Sequence, residues 1–115
     1  MTSDLEGLAE RLREFARVRD WERFHTPKNL AMALAGEAGE LLAELQWLTP
    51  EETAQLDPET HDRVRRELGD VTNYLVRLAD ALGVDIIAAA HEKLDDGERR
   101  YDPATHRGSA RKAPR

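Results

Sequence analysis

The chain contains no cysteine among its 115 residues, which excludes disulfides and thiolate metal sites. No apolar run approaches the roughly 18 residues of a membrane span, and no signal-peptide pattern opens the sequence. No segment alternates at period two over any useful length, so strands are not expected. There is no G-x-x-x-x-G-K-[ST] phosphate loop and no G-x-S-x-G elbow, which removes two common routes to phosphate and acyl chemistry. Aromatic residues make up only 5%, so a core built on rings is not available. Positive charge is also short: the net charge is −6, which argues against a nucleic-acid polymer as partner. A bound divalent cation can still invert the local sign and admit a nucleotide. A soluble, cytoplasmic protein without membrane contact is the expectation.

What is present is helical periodicity. Hydrophobic residues make up 40% and charged residues 35%, a mixture typical of helical bundles and helical oligomers. A first helix is expected from Ser3 or Asp4 to about Asp20, striped by Leu5, Leu8, Leu12 and Phe15. An aromatic connection, Trp21 to His25, leads to Thr26 and Pro27, a cap followed by proline at the first helical position. The second helix carries Leu30, Leu34, Ala38, Leu41, Leu45 and Leu48 on one face and ends near Thr49-Pro50. Thr49 and Glu52 have the spacing of a capping box for a short turn over residues 50–56. Asp57-Pro58 opens a third long helix with Val64, Leu68, Val71, Leu75, Leu78 and Leu82, closed by Gly83. Asp85 caps a fourth, running to roughly Arg100. The fold expected is all-α, a bundle of about four helices over residues 1–101, followed by a flexible basic tail over 102–115. Leucine-rich helices with few aromatics call for a partner, so a homo-oligomer, dimer or tetramer, is expected.

Two strings carry the chemistry: Glu37-Ala38-Gly39-Glu40 and Glu67-Leu68-Gly69-Asp70. Acids three apart on a helix point the same way. Glu37, Glu40 and Glu44 fall within about 60° of arc at 100° per residue, bordering the leucine stripe. A solvated acidic face is the ordinary explanation of such a pattern. Surface glutamates, however, usually have a basic residue three or four away, and no Lys or Arg lies between Lys28 and Arg63. A divalent cation would neutralise them. Glu67 and Asp70 are less telling, because Arg63 and Arg66 stand four residues before them. Two such helices side by side can bring four hard oxygen donors together, a set suited to Mg²⁺ or Mn²⁺. Gly36, Gly39 and Gly69 each cost about 1 kcal/mol inside a helix; they either permit close backbone approach or are tolerated.

The string Arg19-Asp20-Trp21-Glu22-Arg23-Phe24-His25-Thr26-Pro27-Lys28-Asn29-Leu30 adds detail. Together with the two acid boxes, Gln46-Trp47 and Tyr74-Leu75, it resembles the MazG-like all-α nucleoside triphosphate pyrophosphohydrolases, most closely the dCTP pyrophosphatase branch. The resemblance covers residues 5–101. It implies hydrolysis of a nucleoside triphosphate to the monophosphate and pyrophosphate, with a role in cleansing the nucleotide pool. By that resemblance Glu37, Glu40, Glu67 and Asp70 hold Mg²⁺, and Glu37 or Glu40 serves as the catalytic base. Trp21, His25, Trp47 and Tyr74 match base- and sugar-contacting positions. Glu22, Arg23 and Phe24 belong to the same substrate-binding string, and Lys93 and Arg100 to a C-terminal phosphate-contacting stretch. Two positions depart from the branch: Leu12 stands where it has a histidine, and Gly97 where it has an asparagine. The base, whether cytosine, uracil or a modified pyrimidine, is left open. So is an alternative, a catalytically silent helical oligomer that binds nucleotide or a protein partner.

Overall fold

Thr26 accepts the amide of Asn29 at 3.2 Å and Pro27 follows at the first helical position, so the chain turns into a helix where the sequence expects one. The computed structural model describes residues 4–115. The chain is all-α among the described residues. Four long helices are α1 (Asp4–Val18), α2 (Pro27–Leu45), α4 (Pro58–Leu82) and α5 (Ile86–Arg100); α3 (Pro50–Ala54) and α6 (Pro103–His106) are short. The Ser3 cap expected for α1 lies outside the described residues.

Most helix ends are set by local chemistry. Thr49 and Glu52 form the reciprocal capping box at α3. Asp57 accepts the Thr60 amide at 2.9 Å to start α4, and Asp85 accepts that of Ala88 at 3.0 Å to start α5. Gly83 ends α4 with φ 67°, a left-handed conformation that a side chain would strain. The second helix ends at Leu45, short of the expected Leu48, and residues 46–48 form a turn.

The chain divides into two compact units, Met1–Gly83 and Val84–Arg115. In the first, α2 and α1 both pack on α4. Leu30, the largest fully buried side chain, joins Ala16, Val76 and Ala79 in the core of this unit. The α4 stripe differs from expectation. Val64, Val71 and Leu78 are half-buried, whereas Leu68, Leu75 and Leu82 are exposed, a row repeating every seven residues. The sides of α4 taken by α1 and α2 include Val76 and Ala79, so the leucine row is left outward. In the second unit, Arg100 of α5 donates to the carbonyls of Ala113 and Pro114 at 3.1 and 3.2 Å, and Ala113 is buried. The terminal stretch expected to be a flexible tail thus includes α6 and this strap of contacts.

Candidate metal and nucleotide site

The α2–α4 pairing brings the two acid strings together. Carboxylate oxygens of Glu37, Glu40, Glu67 and Asp70 all lie within 4.8 Å of one another. Glu37 and Glu67 are half-buried, Glu40 and Asp70 exposed, so the cluster is walled on one side and open on the other. One oxygen each of Glu37 and Glu67 is buried without a hydrogen-bond partner. A buried acceptor left unpaired costs free energy. Burial, then the adjacent Glu40 and the charges of Asp70 and Glu67, pushes the Glu37 carboxyl up to about 7. Burial and Glu40 push Glu67 upward as well.

The neighbouring cations go elsewhere. Arg63 reaches across to Glu44 at 3.0 Å and to Thr60 at 3.0 Å. Arg66 turns back to Asp62 at 3.1 Å. One sequence expectation is corrected here. Glu44 needs no metal ion, because a cation from the facing helix neutralises it. Arg63 and Arg66 pair with neither Glu67 nor Asp70. The four remaining acids fit a hard divalent cation: donors around one Mg²⁺ lie at most about 4.2 Å apart at bond lengths near 2.1 Å. A Cβ added at Gly36, Gly39 or Gly69 would meet nothing within 4 Å, so no close packing within the chain requires these glycines.

Next to the acids is a cleft of roughly 460 Å³, within the range of small-molecule sites. Leu12 and Phe15 of α1, Trp21 and His25 of the connection, and Asp70, Asn73, Tyr74 and Arg77 of α4 line it. The connection is held by several residues of the long sequence string. Asp20 takes φ 54° to reverse the chain after α1. The Asn29 side chain donates to the Phe24 carbonyl at 3.0 Å, tying the 3₁₀ turn Glu22–Phe24 to α2. Part of that string is therefore scaffold. Trp21 packs edge-on against Phe15 at 5.7 Å and lies 6.3 Å from His25.

The cleft gathers Trp21, His25 and Tyr74 of the expected substrate set, and Leu12 of the two departures. Glu22 lines a separate charged groove with Arg13, Arg17 and Asp80. Arg23 pairs with Asp20 at 3.5 Å and sits over the Phe24 ring. Trp47 is 86% exposed in the turn after α2. Lys93 and Arg100 are on α5 in the second unit, each close to Asp96. Asn73 and Arg77 were not singled out from the sequence. Their spacing of three and seven from Asp70 puts them on the same helical face, a signal that was available.

No family model matches the chain. It is 43% identical over 110 residues to human dCTP pyrophosphatase 1 and 42% identical over 108 residues to the mouse protein of that name. These alignments cover 94% and 92% of this chain, which spans only 65% and 64% of the two relatives. A solved pyrophosphatase from Archaeoglobus fulgidus superposes with TM-score 0.83 at 35% identity, covering 89% of this chain and 95% of that one. The chain belongs to the MazG-like family of all-α pyrophosphohydrolases.

Proposed function

We propose that the chain is a Mg²⁺-dependent nucleoside triphosphate pyrophosphohydrolase acting on dCTP or a related pyrimidine nucleotide. One observation carries the reading: Asp70 belongs both to the acid cluster and to the aromatic cleft. A triphosphate engaged by the acids through a cation would thus have its nucleoside beside Trp21 and Tyr74. The names of the relatives, dCTP pyrophosphatase 1, support the substrate class.

The reaction adds water to a nucleoside triphosphate and yields the monophosphate and pyrophosphate. Glu37, Glu40, Glu67 and Asp70 would hold Mg²⁺, with Mn²⁺ as a substitute. Such an ion polarises a phosphoryl oxygen and lowers the pKa of water bound to it. Glu37 or Glu40 accepts the proton of the attacking water. Trp21 and Tyr74 offer ring faces to the base, and Leu12 offers it an apolar contact. Trp47 contributes a base contact by resemblance to the family.

The same reading includes assembly into a homo-oligomer, dimer or tetramer. Leu68, Leu75 and Leu82 form an exposed row on α4, and Met32, Leu42 and Trp47 are exposed on or after α2. Apolar surface of that extent favours a covering partner. Light scattering reads the assembly directly.

Chromatography of dCTP, dUTP and 5-modified dCTP after incubation with enzyme and Mg²⁺ tests the activity. Monophosphate and pyrophosphate are the expected products. Orthophosphate release, or binding without turnover of any nucleotide, contradicts the proposal; the latter is the behaviour of a silent nucleotide-binding oligomer.

A further inference from the structure

His25 reaches the cleft with one ring nitrogen already engaged. Arg77 Nε donates to His25 Nδ1 at 3.3 Å. The Arg77 guanidinium is itself held, donating from Nη1 to Asp80 Oδ2 at 3.1 Å with its side chain only 12% exposed. Arg13, from α1, closes on the other oxygen of Asp80. The chain of contacts therefore runs Arg13, Asp80, Arg77, His25 and ends in the cleft.

An arginine has no acceptor to offer and keeps its protons. A histidine nitrogen that accepts a hydrogen bond from arginine must be the unprotonated one. The single proton of the neutral ring then sits on Nε2, which makes no hydrogen bond among the described residues. Burial and the Arg77 charge both hold the ring below its ordinary pKa, in agreement with a neutral imidazole.

We propose that Arg77, braced by Asp80, is a positioning residue that fixes His25 in its Nε2–H tautomer, so that the cleft presents a hydrogen-bond donor to an acceptor atom of the bound nucleoside. This rests on the pyrophosphohydrolase reading only for the identity of the ligand; the tautomer itself is a property of the free protein. A free histidine exchanges its proton between the two nitrogens and would offer a donor or an acceptor. A locked one discriminates between bases by where they carry an acceptor. Arg77 thereby acts on recognition through His25 and touches no reacting atom.

Long-range ¹H–¹⁵N spectra of the free, metal-free protein report which imidazole nitrogen carries the proton. For His25 the expected result is Nε2 protonated and Nδ1 bare. Arg77→Met should mix the tautomers and raise KM for the preferred nucleotide about two- to tenfold with kcat little changed, the size of one neutral hydrogen bond. Asp80→Asn, which leaves Arg77 in place but unbraced, should move both readouts in the same direction by less. A protonated Nδ1 in the unaltered protein overturns the proposal. So does a folded Arg77→Met variant whose tautomer and KM are unchanged. Absence of turnover in the unaltered protein would count against the pyrophosphohydrolase reading instead, and the spectrum would still decide the tautomer.

Discussion

Arg63 of α4 reaches Glu44 of α2, with Nε 3.0 Å from the carboxylate. The pair supplies Glu44 with a cation of its own, although its charge is still felt by Glu67. Both partners retain some exposure, so the pair contributes little stability. Arg63→Ala should lower stability only slightly and leave Mn²⁺ binding nearly unchanged. Calorimetric titration with Mn²⁺, alongside thermal melts, checks both halves.

Glu40→Ala should behave in the opposite way. Turnover supported by Mg²⁺ should fall to background, because one of four oxygen donors is gone. In chelator the same variant should melt at or above the temperature of the unaltered protein. Removing the Glu40 carboxylate relieves the repulsion that, after burial, helps hold Glu37 and Glu67 above the ordinary carboxylate range. Scanning calorimetry in excess chelator measures this directly.

The pH dependence follows from Glu37, whose carboxyl rises from an ordinary 4.5 to about 7 on folding. Between those values the folded state binds more protons than the unfolded one, so stability falls as pH rises. The metal-free protein should therefore lose stability from about pH 4.5 to about pH 7, and Glu37→Gln should flatten that slope. Protons and the cation compete for the same oxygens, so Mn²⁺ affinity should weaken below about pH 7. Denaturant melts and metal titrations across this range test the two signs.

At the end of α4, Gly83 has φ 67°. Gly83→Ala should cost about 1 kcal/mol through backbone strain. A helical control such as Gly36→Ala meets open space and should gain a similar amount in the separate chain. Urea titrations of the two variants read the difference.

Much of this arrangement is legible from local chemistry. Thr26-Pro27, the Thr49–Glu52 box, Asp57-Pro58, Asp85 and Gly83 all bound helices where short-range rules place them. The acid cluster was legible for the same reason, since spacing within each helix orients each pair of acids. Relations between helices were not. Periodicity cannot say which neighbour takes which flank of α4, so Leu68, Leu75 and Leu82 are outside rather than inside. Neighbour rules within one helix likewise cannot find Arg63 as the partner of Glu44, nineteen residues away. The link from Arg77 to His25, across 52 residues, is a third case.

The metal dependence of pyrophosphate release, measured in parallel on the unaltered protein and on Glu67→Gln, tests most directly whether the four acids act together. Glu67 is not a candidate base, so its loss isolates metal holding from proton transfer. The expected result is release of monophosphate and pyrophosphate from dCTP with Mg²⁺, none in chelator, and a large loss in Glu67→Gln partly recovered at high Mg²⁺ or Mn²⁺. Full activity in chelator, or a Glu67→Gln variant with unaltered metal dependence, would contradict it.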